Sequence, residues 1–166
     1  MSQRPSMKTT ELSTHLKNRR LEFDISQAQL ARLSGIPQST ISRIEQGYEA
    51  VLEQKDLAYL LRIVGLDTTF GEASGLNDCL TSAAQNVSTS YKYTIGPLQL
   101  ERIFLSGNIP HEFRAHMITL LEETPVPTVV MAVKEACGNN ADLTPGKVLT
   151  RISTWADELN IFRGVW

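Results

Sequence analysis

The chain has 166 residues, which allows one ordinary domain or two small ones. Sixteen Lys and Arg against 18 Asp and Glu give a net charge of −2, so composition alone lends only weak support to an anionic partner, and the position of the positive charge matters more than its total. Two cysteines, Cys79 and Cys137, show no CxxC spacing, and no run is apolar enough for a secretory leader or membrane span; the chain is therefore expected to be cytoplasmic, with both thiols reduced.

Residues 1–9, including the segment SQRPSMK with Arg4 and Lys8, predict a flexible arm. Such an arm either orders on a phosphate backbone or minor groove, or is a frayed terminus. A helix follows over about Thr10–Phe23, with Leu12, Leu16 and Phe23 near one face. Ser26 then reads as an N-cap and Gln29 as its capping-box partner, opening a helix to Leu33 whose apolar residues are Ala28, Leu30, Ala31 and Leu33. Ser34-Gly35 stops it, because Gly35 can take the positive φ of a tight turn. Pro37 marks the start of the next helix, in which Ile41 and Ile44 face inward and Ile36 anchors the entry. Its outward residues are Gln38, Ser39, Thr40, Ser42, Arg43 and Gln46. A further helix over about Glu53–Val64 carries Leu57, Leu60, Leu61 and Val64.

Two readings of the pair around Gly35 stand side by side. One is an ordinary amphipathic helix pair with a solvated face. The other is a helix-turn-helix, whose second helix enters a DNA major groove. The outer face favours the second, since amides, hydroxyls and one guanidinium suit base edges and phosphate oxygens better than the Glu/Lys pairs of a solvated helix. Charge is distributed accordingly. Residues 1–66 hold nine Lys and Arg against seven Asp and Glu, net +2, with Lys17, Arg19, Arg20, Arg32 and Arg43 among them; the remainder holds seven against eleven, net −4.

Residues from about Thr10 to Leu66, carrying LKNRRLEFDISQAQLARLSGIPQSTISRIEQG and LAYLLRIVGL, resemble the Cro/C1-type helix-turn-helix domain of the Xre family, shared by phage repressors and many bacterial regulators. Arg20, Gln27, the Gly35 turn, Ile41 with Ile44, and Glu45 before Gly47 carry the likeness in order and spacing, over about two fifths of the chain. The resemblance implies a lambda-repressor-like bundle and an ion pair between Arg20 and Glu45; the other reading of these two is exposed charges of little energetic weight. It further implies that Gln27 meets a DNA phosphate at a helix N-terminus, and that Gln38, Ser39, Thr40, Ser42 and Arg43 face the groove. Gln38 suits adenine and Arg43 suits guanine O6 and N7.

Beyond residue 66 the composition shifts. Residues 67–92 are rich in Thr, Ser, Gly and Asn, predicting a linker with a short helix over about Leu76–Asn86. Residues 93–166 return to helical spacing in four segments, Pro97–Leu105, Pro110–Glu123, Pro127–Cys137 and Pro145–Leu159, each starting at or beside a proline. The β-branched run VPTVVMAV leaves a strand open as the alternative for the third. With that exception the chain reads as all-α, with residues 10–66 a DNA-binding domain and 93–166 a helical dimerisation, effector or partner-binding domain.

Catalytic and metal chemistry find little foothold. No Ser-Lys self-cleavage signature is identifiable, and no enzyme activity or cofactor is expected. His111, Glu112 and His116 in HEFRAH invite a metal reading, but a five-residue step turns the two imidazoles about 140° apart on a helix. The zinc-protease motif needs a four-residue step. Both histidines are therefore expected at the surface or an interface, with no metal site, and His15 completes no constellation with them. In the tail, Ile161, Phe162, Val165 and Trp166 are expected to pack on the bundle or across a subunit interface.

The reading is a sequence-specific DNA-binding transcriptional regulator, a homodimeric repressor on a palindromic operator. The alternative is an antitoxin that holds a toxin protein through its C-terminal half and autoregulates its operon.

Overall fold

The computed structural model describes residues 7–89 and 93–166, and among them it holds nine α-helices and no β-strand. The chain divides into two compact units after Ser74. In the first unit, α1 spans Met7–Glu22, α2 Gln27–Ser34, α3 Gln38–Glu45 and α4 Gln54–Ile63. α1 begins three residues before the expected Thr10, so that the arm expected over 1–9 gives way to helix at Met7; residues 1–6, with Arg4, lie outside the described residues. Leu16, Phe23, Ile25, Leu30, Ile41, Leu60, Leu61 and Ile63 are fully buried and form the core. A loop follows α4, where Leu66 and Glu72 make an isolated antiparallel bridge and the Phe70 ring stacks on His15 of α1, with centroids 4.7 Å apart.

The second unit contains α5 (Cys79–Ser88), α6 (Pro97–Ser106), α7 (Arg114–Glu123), α8 (Val126–Cys137) and α9 (Pro145–Glu158). A 3₁₀ turn over His111–Phe113 leads into α7. α8 is the centre: Val126, Pro127, Val129, Val130, Ala132, Val133, Ala136 and Cys137 are all buried, against α5, α6 and α9. The run VPTVVMAV is thus helical, and the strand alternative is excluded.

The short helix expected over about Leu76–Asn86 within the linker is α5, beginning at Cys79; its Cys79, Ala83, Ala84 and Val87 are buried, and both backbone N–H groups at its start, Cys79 and Leu80, donate to the Glu135 carboxylate of α8 at 2.7 and 2.9 Å. Two other helix ends are closed by side chains distant in sequence. Arg151 of α9 donates through Nη1 to the carbonyls of Phe104 and Leu105 at the end of α6. In the tail, Arg163 Nη1 donates to Thr124 O at 2.6 Å and Trp166 Nε1 to Leu121 O at 2.8 Å, both at the end of α7. The Phe162 side chain, by contrast, is 96% exposed and does not pack on the bundle.

His116 corrects an expectation. It is buried, with Nε2 2.6 Å from Tyr93 O, while His111 sits exposed in the 3₁₀ turn. The two do not share one α-helix, since His111 belongs to the 3₁₀ turn and His116 to α7, and the packing of α7 turns His116 inward rather than leaving both on the surface.

Candidate nucleic-acid interface

The site is built by the way α2 and α3 are started, joined and stopped. Ser26 caps α2: its Oγ accepts the Gln29 N–H at 3.0 Å, and the Gln29 side-chain oxygen accepts the Ser26 N–H at 3.0 Å. Two orphan donors of the first turn are satisfied by this exchange. At the other end Gly35 takes φ +72° and donates its N–H to Ala31 O. Pro37 is the residue just before α3 rather than its first helical residue, and its φ of −55° leads directly into the helix. α3 then buries Ile41, Ile44 and Glu45.

The outer face of α3 follows from that inner set. Gln38, Ser39, Arg43 and Gln46 are exposed; Thr40 and Ser42 are half-buried, and Gln46 Nε2 donates to Ser42 Oγ at 3.2 Å. No acidic side chain stands among these residues, because the one carboxylate of α3, Glu45, points inward. The face therefore offers amide, hydroxyl and guanidinium groups, the types that read base edges and grip phosphates.

Glu45 is held by three donors. Arg20 of α1 binds it through both edges, Nε to Oε1 at 2.6 Å and Nη2 to Oε2 at 2.9 Å, and Gln27 of α2 adds Nε2 to Oε2 at 2.8 Å. The remaining Arg20 nitrogen, Nη1, donates to Ile25 O at 2.9 Å. Both charged residues are buried, at 8% and 7% exposure, so this is an ion pair of the interior rather than of the surface. Burial pushes the Glu45 carboxyl upward, but hydrogen bonds from Arg20 and Gln27, with the charges of Arg20 and Lys17, outweigh it and hold the group below its ordinary value. The Ser13 hydroxyl of α1 also donates to the Glu45 carbonyl. α1, α2 and α3 thus meet at one residue, and the tilt of α3 is fixed from inside.

Gln27, which the resemblance assigns to a phosphate, has its amide nitrogen turned to Glu45. Arg43 is exposed, with its guanidinium over the Tyr48 ring and Nη2 3.3 Å from Glu49 O. Tyr48 is the residue that sequence reasoning overlooked. Gly47, two residues past the last helical residue Glu45, predicts a left-handed cap, and such a cap brings the following residue back over the last turn.

Residues 16–69 match the helix-turn-helix family, a family of DNA-binding transcription regulators. No curated protein and no solved structure matches the chain. Among the described residues no helix is long and apolar enough to cross a membrane.

Proposed function

We propose that this chain, whose N-terminal part is a Cro/C1-type helix-turn-helix domain of the Xre family, is a homodimeric repressor that reads a palindromic operator with α3. The observation that carries the reading is the acid-free outer face of α3, set by the buried Arg20–Glu45 pair. In this reading Gln38 and Arg43 contact adenine and guanine, while Ser39, Thr40 and Ser42 allow close approach and bond to either partner. Gln27 stands at the start of α2, where free N–H groups and the helix dipole attract a phosphate. Its bond to Glu45 fixes the side chain from behind.

Dimerisation is part of the proposal because one recognition helix reads only a few base pairs. Two helices about 34–36 Å apart reach successive major grooves and double the contacts. The second unit, cut from the acidic part of the chain, is assigned the dimerisation or effector role. Footprinting of the purified protein on its own upstream intergenic DNA tests this. The expected result is one protected site with two-fold symmetry, erased by Arg43→Ala. Protection without symmetry would reject the homodimer, and a requirement for a co-purifying small protein would favour the antitoxin.

A further inference from the structure

The end of α3 is a Schellman turn. Gly47, at φ +80°, donates its N–H to Ile44 O at 3.0 Å, and Tyr48 donates its N–H to Arg43 O at 2.9 Å. This pair of bonds seats residue 48 directly over residue 43, a juxtaposition that is usually filled by two apolar side chains. Here the pair is an aromatic ring and a guanidinium. Arg43 Cζ lies 5.7 Å from the centroid of the Tyr48 ring, and Arg43 Nη2 donates to Glu49 O at 3.3 Å. Tyr48 remains 57% exposed, so the ring is not there to fill the core.

A long arginine side chain at an exposed helix end samples many rotamers, and ordering it on binding costs free energy. A ring centred 5.7 Å from the guanidinium carbon and a carbonyl at one nitrogen restrict that freedom before DNA arrives. A cation–π contact engages the charge of the guanidinium without consuming its N–H groups, and guanine O6 and N7 are read by those donors along an edge. The backbone geometry of the cap therefore orders the side chain most able to tell one base pair from another.

We propose that Tyr48 is a positioning and specificity-determining residue of the DNA interface, holding the Arg43 guanidinium at the end of α3 so that its edge meets a guanine. The proposal rests on the DNA-binding reading above. A ring that merely finished the helix would change stability and leave base preference alone.

The test uses the full-length protein as wild type, Arg43→Ala, Tyr48→Ala and Tyr48→Phe, each offered a pool of duplexes with a randomised core, and sequences the bound fraction. Wild type is expected to enrich one symmetric sequence, and Arg43→Ala to lose preference at one base pair of each half-site. Tyr48→Ala should weaken preference at that same base pair and lower affinity about two- to fivefold, the range of an exposed cation–π contact, while Tyr48→Phe keeps both. Preference is a ratio within one bound pool, so a variant that is only less stable retains it. Unchanged preference in Tyr48→Ala, or a loss in Tyr48→Phe as large as in Tyr48→Ala, overturns the proposal while leaving DNA binding intact. A wild-type pool with no enriched sequence overturns the DNA-binding reading and this proposal together.

Discussion

At the scale of single residues, the Arg20–Glu45–Gln27 cluster decides the site. A buried pair of this kind adds little net stability over an apolar replacement, but removing one partner strands the other charge inside, at a cost of about 3–5 kcal/mol. Glu45→Ala should therefore show a sharply reduced unfolding free energy in urea as well as weaker DNA binding; an unchanged midpoint would mean that Arg20 finds water instead. The sign of the pH dependence follows from the lowered carboxyl. Because the folded value lies below the ordinary value of 4.5, the contribution is fully present above that value and is lost as the pH falls through the folded one. Urea midpoints measured from pH 7 down to pH 3 should fall more steeply for wild type than for Glu45→Gln. Arg20 and Glu45 could be picked out in the sequence only through the family likeness, since nothing in their spacing pairs them. The Gln27 bond was hidden for a plainer reason: an amide at a helix start can turn outward or inward, and its rotamer depends on what the neighbouring helix places beside it.

At the scale of elements, the starts and stops of helices were the legible part. Ser26 with Gln29, Gly35, and the prolines at 97, 127 and 145 act through local backbone chemistry, and α2, α6, α8 and α9 begin at or within a residue of those marks. What stayed open were the bounds and alternatives of elements that packing decides. α8 is expected as a helix from its spacing, with a strand open as the alternative because of its β-branched run, and it is the packing of that run into the core of the second unit that decides for the helix. α5 is expected as a short helix over about Leu76–Asn86 within a linker; it runs instead from Cys79 to Ser88 and packs on α8, and its buried residues, Cys79, Ala83, Ala84 and Val87, are mostly small, which makes the segment look less like part of a core. The end of α3 yields a prediction at this scale. Gly47 stands at φ +80°, where an L side chain strains the backbone by about 1–2 kcal/mol, so Gly47→Ala should lower stability by that amount. Thermal unfolding would record it, and a neutral result would show that the turn relaxes out of the left-handed region.

At the scale of the whole molecule, the chain joins a DNA-binding helix-turn-helix unit to a helical unit with its own buried core. The tail belongs to the architecture of the second: Arg163 and Trp166 bond the carbonyls at the end of α7. Deleting residues 162–166 should leave those carbonyls to water and lower the melting temperature by about 4–8 °C for each kcal/mol lost. An unaltered melting curve would show that the strap carries no stability. The function itself turns on α3. The most direct measurement is the affinity of the full-length protein for a duplex from its own upstream intergenic DNA, against a scrambled duplex, at two salt concentrations and with Arg43→Ala alongside. Tight binding to the natural duplex that weakens as salt rises, through displaced counterions at the contacted phosphates, is expected, with a loss of discrimination in Arg43→Ala. Equal affinity for both duplexes, or discrimination that survives Arg43→Ala, would contradict that role of α3.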